Sequence, residues 1–250
     1  MAYPPEAESS TISQPEEKTS AIQAPFRTLS NRVTQLHWRW QLFNQLYVTG
    51  QRRIDLLNEI AGGFFHEIQW IMRDDLVLST ARLLDRNRDT LSLFRLLELL
   101  GQTTAHRLIP GLRVELEAIE GKAGPFLALR DTKIAHLEYE PRRPKVDELL
   151  LPGIGPDLID EVLWRIANFM NTIQSELEGG TTAYAAVSSL SDGDTLIHGL
   201  RKAADWKDIV REVSAVVGQR DIFAQHERLK KDRYHDIEKS RDWYSERGRQ

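Results

Sequence analysis

Apolar residues recur at spacings of three and four along most of the chain, which is the period of an amphipathic helix and not of a strand. Between Pro25 and Gly50 the stripe is Leu29, Val33, Leu36, Trp40, Phe43 and Tyr47. A second helix is predicted from about Arg53 to Asp85, with Leu57, Ala61, Phe64, Ile68, Ile71, Leu78 and Ala81 on one face and a kink expected at Gly62-Gly63. The polar stretch 85–90 reads as a turn, with Asp89 or Thr90 as the cap of a short leucine-rich helix over 91–100 that Gly101 ends. Further helices are expected over 105–120, interrupted at Pro110-Gly111, and over 126–138 until Pro141 and Pro144. Another lies between Pro156 and Gly179-Gly180, with Ile159, Val162, Ile166, Phe169, Ile173 and Leu177 on its buried side. The last runs from about Asp194 to Val217 with Leu196, Leu200, Ala204 and Val213. No segment alternates as a strand would, so the expected class is all-α.

The two ends differ from this middle. Residues 1–24 hold three prolines, four serines, four glutamates and almost no large apolar side chain, which predicts a disordered N-terminal tail. Residues 25–178 carry the main bundle and 181–250 a helical C-terminal extension. Within the extension, 220–250 contains nine Lys or Arg and seven Asp or Glu, the mix of a solvated helix. The chain has no cysteine, which excludes disulfides, thiolate metal sites and thiol catalysis. A net charge of -4 gives no global field for nucleic acid, so any such contact must be local. No apolar run or leader is long enough for a membrane span or signal, so the expected place is the cytoplasm, with no membrane partner.

With cysteine absent, histidine is the most versatile catalytic group. His66-Glu67 and His226-Glu227 begin like zinc helices but lack the second histidine four residues on, and no glycine-rich phosphate loop occurs, so no metal or cofactor is expected. The suggestive segment is Leu129-Arg-Asp-Thr-Lys-Ile-Ala-His-Leu-Glu138. On a helix Arg130 and His136 lie about 120° apart with Lys133 between them. Such a strip suits RNA cleavage, because imidazole can move the proton of a ribose 2′-OH while guanidinium stabilises the phosphate. Arg followed by four to six residues and His occurs four times in the chain. Arg32/His37, Arg220/His226 and Arg228/His235 lie on a packing helix or in the charged C-terminal stretch, whereas the Arg130 pair closes a helix of the bundle.

Three ordered blocks carry a resemblance: Leu56-Leu-Asn-Glu-Ile-Ala-Gly-Gly-Phe-Phe65, Asp75-Leu-Val-Leu-Ser-Thr-Ala-Arg-Leu-Leu-Asp85 with Leu91-Ser-Leu93, and Arg130-Asp-Thr-Lys-Ile-Ala-His-Leu-Glu138. Over residues 26–178 the chain resembles a HEPN domain, in the AbiU-like branch associated with abortive infection. The resemblance implies an antiparallel helical bundle and a metal-independent endoribonuclease that works as a homodimer, with two Arg-His motifs facing one cleft. It implies Arg130 and His136 as the catalytic pair and Asp131 as the polar residue that often follows the arginine. It also implies a toxin or antiviral defence role, RNA as substrate, and an antitoxin or neighbouring defence protein as partner. One toxin group carries a modifiable tyrosine two residues after the histidine; here Glu138 stands there and Tyr139 follows.

Blander readings stand beside these. In the first, Arg130 serves only in an ion pair with Asp131 or Glu138, which leaves a non-catalytic helical module that binds nucleotide, RNA or protein. Lys133 and Arg82 are the weaker substrate-binding candidates. Asp75 and Arg82 share a face two turns apart, where a half-buried ion pair with neighbours is the ordinary expectation. The six tryptophans are expected in core packing, since none sits on a strand platform with basic interleaving.

Overall fold

The computed structural model describes residues 14–131, 154–187, 191–216 and residue 231, and among these the fold is all-α without a β-strand. Helix α1 (Gln14–Phe43) buries the whole predicted stripe and adds Ile22 and Phe26 to it. It therefore begins inside the stretch expected to be a tail, because those two side chains extend the buried face toward the N-terminus. A π-helical turn, Asn44–Val48, and Gly50 at φ +121° reverse the chain. Glycine alone adopts that angle freely.

Helix α2 (Gln51–Leu83) runs antiparallel to α1. Arg39 on α1 meets Asp75 and Ser79 late in α2, whereas Tyr47 donates to the Phe65 carbonyl earlier in α2. The expected kink is present at Ala61 (φ -158°, ψ 62°), immediately before the glycine pair. It also rephases the helix. Phe65, Leu76, Val77 and Ala81 are buried, while the predicted Phe64 and Ile71 are 60% and 56% exposed.

Helix α3 (Leu93–Leu100) is capped by Ser92, whose Oγ accepts from the Arg95 N–H at 3.3 Å, and not by Asp89 or Thr90. A 3-10 turn, Thr104–Leu108, leads into α4 (Ile109–Lys122). Pro110 sits in the first turn of α4, where its missing N–H costs no hydrogen bond, so it opens that helix and does not interrupt it. Short α5 (Gly124–Leu129) packs on α2 and α4, and α6 (Pro156–Glu178) buries Val162, Ile166, Phe169 and Ile173 as expected.

Ion pairs fix the direction of α6. Arg107, Glu115 and Lys122 along α4 and its lead-in pair with Glu176, Arg165 and Glu161, in reverse order along α6. Arg27 and Trp40 of α1 likewise meet Glu178 and Asp160. So α6 is antiparallel to both neighbours. Such exposed pairs set register more than stability, since each contributes about 0–1 kcal/mol.

After α6 the chain stays on the bundle. Tyr184, in the 3-10 turn Tyr184–Ala186, is 1% exposed and its hydroxyl is 2.9 Å from Ser30 Oγ on α1. Helix α7 (Gly193–Val216) is bolted to the α1–α2 corner. Gln45 donates to Asp192 and accepts from the Gly193 N–H, and Arg53 donates to Asp194 at 2.6 Å with 6% of its side chain exposed. A Cβ on Gly193 would lie 2.9 Å from the Gln45 side chain, so this joint requires glycine. Among the described residues, no helix is long and apolar enough to cross a membrane.

Candidate functional site

The site suggested by the sequence begins at the end of α5. Gly124-Pro125 starts the helix, and Phe126 (1% exposed) and Leu129 (9%) anchor it in the core. Arg130 keeps helical dihedrals (φ -55°, ψ -48°) and enters a π-helical turn with Asp131. Because the anchors hold the helix axis, the guanidinium leaves the protein at a defined place with 32% of the side chain exposed.

Arg130 and Asp131 form a pair. Nε donates to Asp131 Oδ1 at 2.7 Å, and the Nη2 group lies 2.7 Å from the same oxygen. Two N–H groups therefore converge on one carboxylate oxygen. This is the ion pair that the blander reading anticipated. Asp131 is 59% exposed, so the pair is solvated and its hold on the guanidinium is weak. A phosphate, which takes the same two-pronged edge of an arginine, competes for it on equal geometric terms.

His136 and Lys133 lie outside the described residues. Arg82 is exposed in the last turn of α2, and the described hydrogen bonds do not join it to the Arg130–Asp131 pair. Asp75, considered with Arg82, instead pairs with Arg39 at 2.9 Å, both side chains being about two-fifths exposed (41% and 38%). Among the described residues, no three of His, Asp and Glu converge as a metal site would need.

A second concave region escaped the sequence reading. A groove of about 740 Å³ opens between α1, α6 and the 3-10 turn at 184–186, with His37, Trp40, Asp160 and Trp164 in its wall. Trp164 is 61% exposed, Trp206 47% and Trp38 36%, which corrects the expectation that the tryptophans are core residues; of the five described, Trp40 alone is in the buried core, and Trp243 lies outside the described residues. The signal was available. Val162, Ile166 and Phe169 define the buried stripe of α6, and Trp164 falls about 200° from Val162, on the opposite side. His37 is 8% exposed, is stacked on Tyr184 at 6.1 Å, and its Nε2 has no hydrogen-bond partner. Burial holds its imidazole below the ordinary value of 6.5, opposed by a backbone hydrogen bond at Leu163 and the charge of Asp160.

The HEPN_AbiU2 family, described as AbiU2, matches residues 20–196, most of the chain. The chain belongs to this family, and its all-α bundle is a HEPN-type fold. No curated protein and no solved structure matches it. The match runs past α6 and ends in the first turn of α7, beyond the Gln45 and Arg53 contacts.

Proposed function

We propose that the chain is a metal-independent endoribonuclease of the abortive-infection type, a toxin that acts on cellular RNA. The observation that carries this reading is the half-exposed Arg130, held by a core-anchored helix and paired with an exposed carboxylate that a phosphate can displace. His136, six residues on in the same sequence block, supplies the acid-base group.

In the proposed reaction His136 takes the proton from a ribose 2′-OH, and the 2′-oxygen attacks the adjacent phosphorus. Arg130 stabilises the charge on the phosphorane oxygens. The P–O5′ bond breaks, a protonated imidazole returns a proton to the leaving oxygen, and the products are a 2′,3′-cyclic phosphate and a 5′-OH. Asp131 positions the guanidinium before substrate arrives. A homodimer would bring a second copy of the motif to the same phosphate. An antitoxin or neighbouring defence protein is the expected regulator, and the cytoplasm the expected place of action.

The test is to incubate wild type and the His136→Ala variant with total RNA and tRNA in EDTA, and to map the fragment ends. Wild type should yield cyclic-phosphate ends, and the variant should be slower by about 10²-fold or more, as expected for loss of a general acid-base group. Equal cleavage by both would remove His136 from the mechanism. Absence of cleavage by either would favour a second reading, a non-catalytic nucleotide-, RNA- or protein-binding module. The closed Arg130–Asp131 pair is the observation on that side.

A further inference from the structure

The groove between α1 and α6 has features that the cleavage reading does not use. Its volume, about 740 Å³, falls within the ~300–1,000 Å³ typical of small-molecule sites. Among the described residues, no lysine or arginine lines it, and Asp160 is its one carboxylate. An entering phosphate would therefore meet repulsion and no counter-charge. The Asp160 carboxylate is held in place by Trp40, whose indole Nε1–H donates to Oδ1 at 2.6 Å. Beside it the Trp164 indole stands 61% exposed, a flat apolar face open to solvent. Gln41 and Asn44 add two side-chain amides to the wall.

A stationary carboxylate next to an open indole selects a planar ring that carries N–H donors on its edge. Guanine offers N1–H and N2–H₂ side by side, which match the two oxygens of one carboxylate. Uracil offers one N–H between two carbonyls, and those carbonyls would face the negative charge. Stacking on Trp164 alone would accept any base, so discrimination falls to Asp160.

We propose that this groove is a base-binding site for an unpaired guanine of RNA, with Trp164 stacked on the ring and Asp160 accepting from N1–H and N2–H₂. The proposal rests on the RNA-directed reading above and adds the base that the chain selects. The phosphates stay outside the groove, in solvent.

The test uses the full chain without RNA. Protein labelled with ¹⁵N-tryptophan is titrated with guanosine, inosine and uridine 5′-monophosphates, and the indole N–H signals of Trp40 and Trp164 are followed. GMP should shift both signals saturably, IMP, which lacks the N2 amino group, should bind about tenfold more weakly, and UMP should leave them unmoved. Asp160→Asn should weaken GMP about tenfold and narrow its lead over UMP, and Trp164→Ala should weaken GMP and IMP alike. The remaining indole signals report whether each variant is folded. Equal binding of GMP and UMP, an Asp160→Asn variant that still prefers GMP, or no saturable shift would each overturn the site. Binding of GMP by a chain that cuts no RNA would retain the site and remove the nuclease, and the converse would do the reverse.

Discussion

Two Arg-Asp dipeptides, Arg73-Asp74 on α2 and Arg130-Asp131 at the end of α5, make the same local pair in different surroundings. In each, Nε and Nη2 converge on one oxygen of the following aspartate, at 3.0 and 2.7 Å for Arg73 and 2.7 Å for both contacts of Arg130. Arg73 is 13% exposed and its guanidinium lies 3.5 Å from the centre of the Trp70 ring, which in turn donates to His66 Nε2. Arg130 has 32% of its side chain exposed. Opening the Arg73 pair leaves a mostly buried cation over an indole. Opening the Arg130 pair returns two solvated charges to water. The contact is the same in both, and the tertiary surroundings set whether a ligand can replace it.

A third pair extends the series to deeper burial and should give the largest effect. Arg53 and Asp194 are 6% and 17% exposed, so Arg53→Ala takes the guanidinium away from a largely buried carboxylate and from the Gln45 carbonyl. Chemical denaturation should show a loss of about 3–5 kcal/mol. A loss below 1 kcal/mol would mean that the joint between α7 and the corner does not hold in solution.

Arg130→Ala and Arg73→Ala should then separate function from stability. The first should lower RNA cleavage by about 10²–10³-fold while changing stability by less than ~1 kcal/mol. The second should cost roughly 1–2 kcal/mol through the lost cation–π contact and leave the rate per folded molecule unchanged. If Arg73→Ala abolishes cleavage in a folded protein, the contrast between the two dipeptides fails.

The smallest effect concerns a titratable group with no counter-ion bonded to it. Burial depresses the His37 pKa in the folded state, so the unfolded chain binds its proton first as pH falls. Stability from this group is complete above 6.5, declines below it, and levels off once the folded pKa is passed. A His37→Gln variant should show a flatter stability profile between that value and acid pH. An unchanged slope would place the acid sensitivity elsewhere.

The fold was legible where a stripe runs unbroken. On α1 and α6 every third or fourth apolar residue is buried, because nothing interrupts the helix phase from Leu29 to Phe43 or from Val162 to Ile173. On α2 the stripe failed at Phe64 and Ile71, since the turn at Ala61 shifts the helix phase just after it, while Ala81 further on is buried as expected. The cap of α3 went to Ser92 because a hydroxyl there reaches the N–H of Arg95, three residues on. At the candidate site, the place of Arg130 and its bond to Asp131 follow from adjacent residues and could be read locally. The groove could not, since it depends on α1, α6 and the turn at Tyr184 coming together from distant parts of the chain.

The bolt at Gly193 and Asp194 decides how short this domain can be made. A chain trimmed after Gly180 would lose the carboxylate that neutralises Arg53 and, with it, Tyr184, Ile197 and Ala204 from the buried core. The minimal folding unit therefore reaches into α7 through an electrostatic and an apolar joint together, and the family match itself ends there, at residue 196. For a protein engineer, the cut belongs beyond the buried residues of α7.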